Sequence, residues 1–220
     1  MSRAQAVLFD LDGTLIDSAP DLATAANAMR ARRDLAQLPY AQLRPHASSG
    51  ARGLLRAAFD AEPGQGRYAA LREEFIALYG QRMLERTTLF AGVAELLARL
   101  DAEAIPWGIV TNKALRLAEP LARALGLLTP DRVLVGGDST PHLKPHPAPL
   151  LEAARRMGSD AGRCVYVGDD LRDVAAGRAA GMATLAVAWG YLGCEVGIDA
   201  WGADDIIDRP MDLLNWLDLA

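Results

Sequence analysis

Two aspartates stand two positions apart in the stretch VLFDLDGTLIDS, residues 7–18. A carboxylate directly after an apolar run, one residue from a second, meets desolvation and mutual repulsion unless something positive sits beside it. Residues i and i+2 leaving a strand can face the same way, so Asp10 and Asp12 can reach one centre. Gly13 lets the backbone turn sharply behind them, and Thr14 can tie that turn down. One carboxylate could attack phosphorus while the other moves protons.

Further polar groups follow other apolar runs. WGIVT ends on Thr111, then Asn112 and Lys113. VLV is followed, after a loop, by Lys144 in KPHP. CVYV delivers Gly168, Asp169 and Asp170, with Asp173 one turn into the next helix. Each has an ordinary reading when taken alone. Asp169 and Asp170 suit helix N-caps, Thr111 suits a cap, and Lys144 suits a solvated surface. All of these readings must hold at once, and Asp10 resists its own. Carboxylates from two strand ends with no adjacent cation suggest a hard divalent metal, and Mg²⁺ takes one or two carboxylates plus waters and phosphate oxygens.

The elements that must gather these groups read as follows. Short, nearly continuous apolar runs recur at 6–9, 107–111, 133–135, 164–167, 184–188 and 205–207, as strands buried on both faces of a parallel sheet do. Helical periods separate them at 93–100, 115–125, 150–157 and 171–180. The alternation predicts an α/β fold, a doubly wound Rossmann-like parallel sheet whose ligands bind beyond the carboxyl ends of the strands. From 16 to 86 the alternation breaks into helical pattern only, at 22–33, 53–59 and 68–86. That predicts an inserted helical cap, residues 16–86, on a core of 1–15 and 87–220, able to move as a lid.

With 220 residues, 51% of them hydrophobic, the chain can bury a sizeable core. A net charge of −5 argues against a nucleic-acid partner. The absence of a signal-like run or a span of roughly 20 apolar residues predicts a cytoplasmic protein with no membrane partner. Cys164 and Cys194 read as reduced, Cys164 within the core. Arg30, Arg32 and Arg33 read as a solvated helix face. His46 reads as a loop histidine, as do His142 and His146, although those two flank Lys144.

DLDGT at 10–14, Thr111 after an apolar strand, Lys144 in KPHP and GDDLRD at 168–173, in that order, resemble the haloacid-dehalogenase-like (HAD) phosphatase superfamily over essentially the whole chain. The insertion is similar to that family's small helical cap. TNK at 111–113, VLVGGD and LKPHPAPLL resemble its phosphoglycolate phosphatase branch. GDDLRDVAAGRAAGM, WGYL and WGADDIID look most similar to the N-acetylmuramic acid 6-phosphate phosphatases of cell-wall recycling.

The resemblance implies Asp10 as nucleophile and Asp12 as acid and base. It implies Mg²⁺ on the Asp10 carboxylate, the Asp12 carbonyl and Asp169. Thr111, the Asn112 N–H and Lys113 would bind phosphate, and Lys144 would neutralise charge. Asp170 and Asp173 would stand behind the metal ligands. In the cap, Ser48, Ser49, Gly50 and Arg52 would face the substrate, Arg52 gripping a carboxylate. The partner is then a small phosphorylated metabolite and the chain a monomer or weak homodimer. Three rivals use related residues: a sugar phosphomutase, a dehalogenase and a phospho-accepting receiver module. A receiver has no place for the insertion, and a dehalogenase has no need of Asp12 or a metal.

Overall fold

The computed structural model describes residues 4–193 and 196–219, so Cys194 lies outside the described residues; Cys164 is a buried free thiol. In chain order the strands are β1 (Ala6–Phe9), β2 (Ile16–Asp17), β3 (Thr88–Leu89), β4 (Trp107–Val110), β5 (Leu134–Val135), β6 (Cys164–Gly168), β7 (Ala183–Val187) and β8 (Asp205–Ile207). Apart from β2 and β3 they form one parallel sheet, ordered β5-β4-β1-β6-β7-β8. The α-helices are α1 (Ala19–Ala31), α2 (Tyr40–Leu43), α3 (Gly50–Phe59), α4 (Tyr68–Arg82), α5 (Val93–Ala102), α6 (Leu115–Ala124), α7 (Ala148–Arg156), α8 (Leu171–Ala179) and α9 (Asp212–Trp216), with a 3₁₀ turn at Arg44–Ser49.

The continuous apolar runs have a direct cause. Val7 and Phe9 enter one core layer with Ile109, Val165 and Val167. Ala6 and Leu8 enter the opposite layer with Val110, Cys164 and Tyr166. Both faces are covered, so no polar residue alternates in. In register, Phe9 stands opposite Ile109 on one side and Val167 on the other. The ends of β1, β4 and β6 are therefore level, and the residues that follow them emerge at one edge.

Between β1 and α5 the chain departs from helix alone. β2 and β3 pair antiparallel, Ile16 with Leu89 and Asp17 with Thr88, a two-strand ribbon that the apolar pattern does not reveal. Between its strands, α1 buries Leu22, Ala25, Ala26 and Met29 in a layer shared with Leu54 and Leu55 of α3 and Phe75 and Leu78 of α4. The last of these helices stops at Arg82, a turn short of the expected Arg86. Asp21 Oδ2 takes the N–H groups of Arg86 (3.0 Å) and Thr87 (2.9 Å) and the Thr87 hydroxyl (2.8 Å). A side chain thus replaces helical partners at that point. Among the described residues no helix is long and apolar enough to cross a membrane.

Candidate active site

Asp10 leaves β1 with its N–H bonded to Val167 O at 2.9 Å, so the neighbouring strand fixes its backbone. Lys144 reaches it from the loop after β5. The Lys144 side chain is 3% exposed, and its Nζ lies 2.8 Å from Asp10 Oδ1 and 2.7 Å from Asp173 Oδ1. The ammonium also donates to Val110 O at 3.1 Å and to the Tyr166 hydroxyl at 2.8 Å. Burial alone would lower the lysine's pKa; Asp10 and Asp173 more than offset this and hold it above its ordinary value. Asn112 clamps the lysine's backbone, accepting from Lys144 N at 2.9 Å and donating to Lys144 O at 3.0 Å. That use of both ends of its amide is a role the sequence did not suggest.

Asp169, after β6, is buried, with Thr14 donating to Oδ1 at 3.2 Å and the Tyr191 N–H to Oδ2 at 2.8 Å. No protein cation faces it among the described residues. Burial first, then the charges of Asp10 and Asp173, push its pKa well above the usual carboxylate range. Asp173 is pushed up to about 7, chiefly by burial, with Lys144 opposing and Asp10 and Asp170 adding to the rise. Asp10, Asp169 and Asp173 each offer one oxygen, all within 4.8 Å of one another. Asp10 Oδ1, though close to the ammonium, is buried without an aligned hydrogen-bond donor. Crowded, hard oxygen donors short of positive charge fit a divalent cation. Asp173, expected behind this group, belongs to it, while its Oδ2 also accepts the Asp170 N–H at 3.1 Å.

Two glycines make room for Asp169. A Cβ on Gly13, whose φ is +89°, would fall 2.1 Å from Asp169 Oδ2. One on Gly190 would fall 2.2 Å from Asp169 Cβ and 2.7 Å from Gly13 O. Gly190→Ala is therefore expected to displace Asp169 and weaken divalent-cation binding by roughly tenfold or more in calorimetric titration. An affinity equal to that of the parent would mean that the 189–191 loop yields instead.

Asp12 forms a second group. Its Oδ1 accepts from Lys113 Nζ at 2.7 Å and from the Ser18 hydroxyl, while Oδ2 has no hydrogen bond among the described residues. The Lys113 ammonium lies 4.7 Å from the Tyr79 ring centroid of α4. Burial works against its charge, but Asp12 and Tyr79 together raise its pKa. Lys113, expected on phosphate, is thus committed to Asp12. Thr111, buried at the end of β4, accepts the Lys113 N–H at 3.1 Å. The Asn112 N–H has no acceptor among the described residues.

Asp170 turns away from both groups. It caps α8, accepting the Arg172 N–H at 2.8 Å and Nε at 2.7 Å on Oδ1. Burial raises its pKa, but Arg172 outweighs that and holds the carboxyl below its usual value. Ser49 and Arg52 line a cleft of about 490 Å³ with Ser48, Asp170 and Arg172. Asp10, Asp12, Thr111 and Lys144 are not among its walls, so the cleft lies beside the acidic group rather than over it. Arg52 is 66% exposed and 3.6 Å from Glu62, and Gly50 takes a φ of +54°. His46 lines the same cleft, whereas His142 and His146 stack on each other with centroids 4.1 Å apart.

The sequence profile of the haloacid dehalogenase-like hydrolases matches residues 4–181. The chain belongs to that family. An N-acetylmuramic acid 6-phosphate phosphatase from Pseudomonas aeruginosa is 42% identical over 218 residues, 99% of this chain and 96% of that protein. A phosphoglycolate phosphatase from Xanthomonas campestris pv. campestris is 47% identical over 214 residues, 97% of this chain and 96% of its own. The crystal structure of a predicted phosphoglycolate phosphatase from Haemophilus somnus 129pt superposes with a TM-score of 0.85 at 30% identity, covering 98% of this chain and 99% of that one. A hydrolase of this family is an enzyme, which sets the receiver alternative aside.

Proposed function

We propose that the protein is a Mg²⁺-dependent phosphomonoesterase working through an aspartyl-phosphate on Asp10. Its substrate would be N-acetylmuramic acid 6-phosphate or 2-phosphoglycolate. The observation that carries the proposal is the meeting of Asp10, Asp169 and Asp173 within 4.8 Å of one another, with Lys144 paired to Asp10 and Asp173, beyond the level ends of β1, β4 and β6. Asp10 attacks phosphorus, and the bond to the ester oxygen breaks. Asp12 gives the departing alkoxide a proton. Water then attacks phosphorus, Asp12 takes its proton, and the bond to Asp10 breaks to release phosphate. Asp12 Oδ2 suits this duty, because Lys113 and Ser18 hold only Oδ1.

Mg²⁺ would be held by Asp10, Asp169 and the Asp12 carbonyl with Asp173 beside them, and would offset the charge between nucleophile and phosphate. Lys144 steadies Asp10, and Thr111 with the Asn112 N–H would bind phosphate oxygens. Residues 16–86 would act as the cap of a cytoplasmic monomer or weak homodimer, without nucleic-acid or membrane partners. The cleft beside the acidic group supports the larger substrate. It joins Arg52 and Arg172 to Leu171 and Trp201, a surface suited to a carboxylate-bearing sugar, and a two-carbon acid would fill little of it.

The test is a panel of 2-phosphoglycolate, N-acetylmuramic acid 6-phosphate and hexose phosphates compared by kcat/KM. One of the first two should exceed every hexose phosphate by roughly tenfold or more. A hexose phosphate isomerised faster than it is hydrolysed would instead establish the phosphomutase.

A further inference from the structure

The 3₁₀ turn at Arg44–Ser49 is fastened to the sheet domain at both ends. At the first, Arg44 Nη2 donates to Trp189 O at 3.3 Å, and its guanidinium lies 5.2 Å from the Tyr191 ring centroid. At the second, the Ser48 hydroxyl donates to Asp170 Oδ2, and Ser48 O accepts from Arg172 Nη2 at 2.7 Å. These bonds cross more than 120 residues of chain and tie the insertion to the start of α8.

The Asp170 carboxylate is fully engaged there. Oδ1 takes the N–H and Nε of Arg172, and Oδ2 takes Arg172 Nη2 at 2.9 Å as well as Ser48. With both oxygens directed at Arg172 and Ser48, neither is left for a cation beside Asp169. Releasing Ser48 strands no charge, because Asp170 and Arg172 still satisfy each other within the sheet domain. The contact exchanges hydrogen bonds at one serine for water and nothing more, as a reversible fastening requires. It also sets the segment that continues through Gly50 to Arg52, on the wall of the cleft.

We propose that Asp170 and Arg172 are positioning residues that latch the Ser48 segment against the sheet domain, and that Asp170 is not a metal ligand. The proposal rests on the phosphatase reading for its kinetic arm alone. Two variants of the full chain separate the roles. Ser48→Ala removes the hydroxyl's bond to Asp170 without touching α8 and keeps the carbonyl's bond to Arg172. Asp170→Ser keeps a capable helix N-cap and loses the ion pair. Amide hydrogen exchange over residues 44–55 should accelerate about fivefold or more in both variants. In calorimetric titration the Mg²⁺ dissociation constant should stay within about twofold of the parent's, against the roughly tenfold or greater loss expected of a ligand. On the best substrate of the panel, KM should rise about tenfold with kcat within about threefold.

Exchange unchanged in both Ser48→Ala and Asp170→Ser overturns the latch whatever the kinetics. Mg²⁺ binding weakened tenfold or more in Asp170→Ser, with Ser48→Ala normal, makes Asp170 a ligand and overturns the second half. Exchange and metal titration need no substrate, so both outcomes can be read even if no phosphomonoester in the panel is turned over.

Discussion

Asp10→Asn should lower kcat by at least about four orders of magnitude while leaving the protein folded. Three carboxylates share the pocket, so the choice of nucleophile needs an argument. Asp169 is 1% exposed, with a donor on each oxygen. The Asp173 side chain is 2% exposed, held by Lys144 through one oxygen and by the Asp170 N–H through the other. Asp10, at 13% exposure, is the member of the three that an incoming phosphate can touch. Asparagine retains an oxygen to face the Lys144 ammonium, so the melting temperature should move by only a few degrees, about 2–4 °C per kcal/mol lost. The amide cannot form a labile acyl-phosphate, which is why rate rather than stability must collapse. Steady-state assays on the purified variant, with melting curves alongside, check both halves. Retention of more than roughly 1% of kcat would mean that another group attacks.

The strands could be read from sequence because burial on both faces leaves a continuous apolar run. The site followed, because parallel topology brings successive strand ends to one edge. That topology brings Asp10, Lys144, Asp169 and Asp173 together. What escaped depends on contacts with no local period. Tyr166 reads as one more apolar member of CVYV, yet its hydroxyl accepts from Lys144 and donates to Val110 O at 2.9 Å. Gly190 and Tyr191 lie in WGYL just after the apolar run at 184–188, and only the fold shows that they border and hold Asp169. Asp21 lies in the first turn of α1, while its Oδ2 accepts the N–H of Arg86, 65 residues away and beyond the end of α4. The pairing of Lys113 with Asp12 crosses 101 residues, so nothing in TNK alone could separate it from a phosphate contact.

The acidic group should also make the metal-free protein less stable as pH rises, with bound Mg²⁺ reversing the loss. Burial, reinforced by Asp10 and Asp170, pushes the folded-state pKa of Asp173 up to about 7, above the 3.8 of a free aspartate side chain, and burial shifts Asp169 the same way. Between those two pH values the folded protein holds protons that the unfolded chain has released. Stability therefore falls as pH climbs through the window, and below it the contribution is restored. A cation between the carboxylates removes the cause, since it competes with protons for the same oxygens. After treatment with EDTA, the melting temperature should be several degrees lower at about pH 8 than at about pH 5.5. Mg²⁺ at roughly a hundred times its dissociation constant contributes about 2.7 kcal/mol, or about 5–10 °C for a chain of this length. At one fixed Mg²⁺ concentration the gain should be larger at the higher pH, where the carboxylates are free of protons and bind the cation more tightly. Activity should disappear in EDTA and return with Mg²⁺ over the same range. A metal-free melting temperature that rises across this window would contradict the crowding of Asp10, Asp169 and Asp173, and full turnover in chelator would remove the metal from the mechanism.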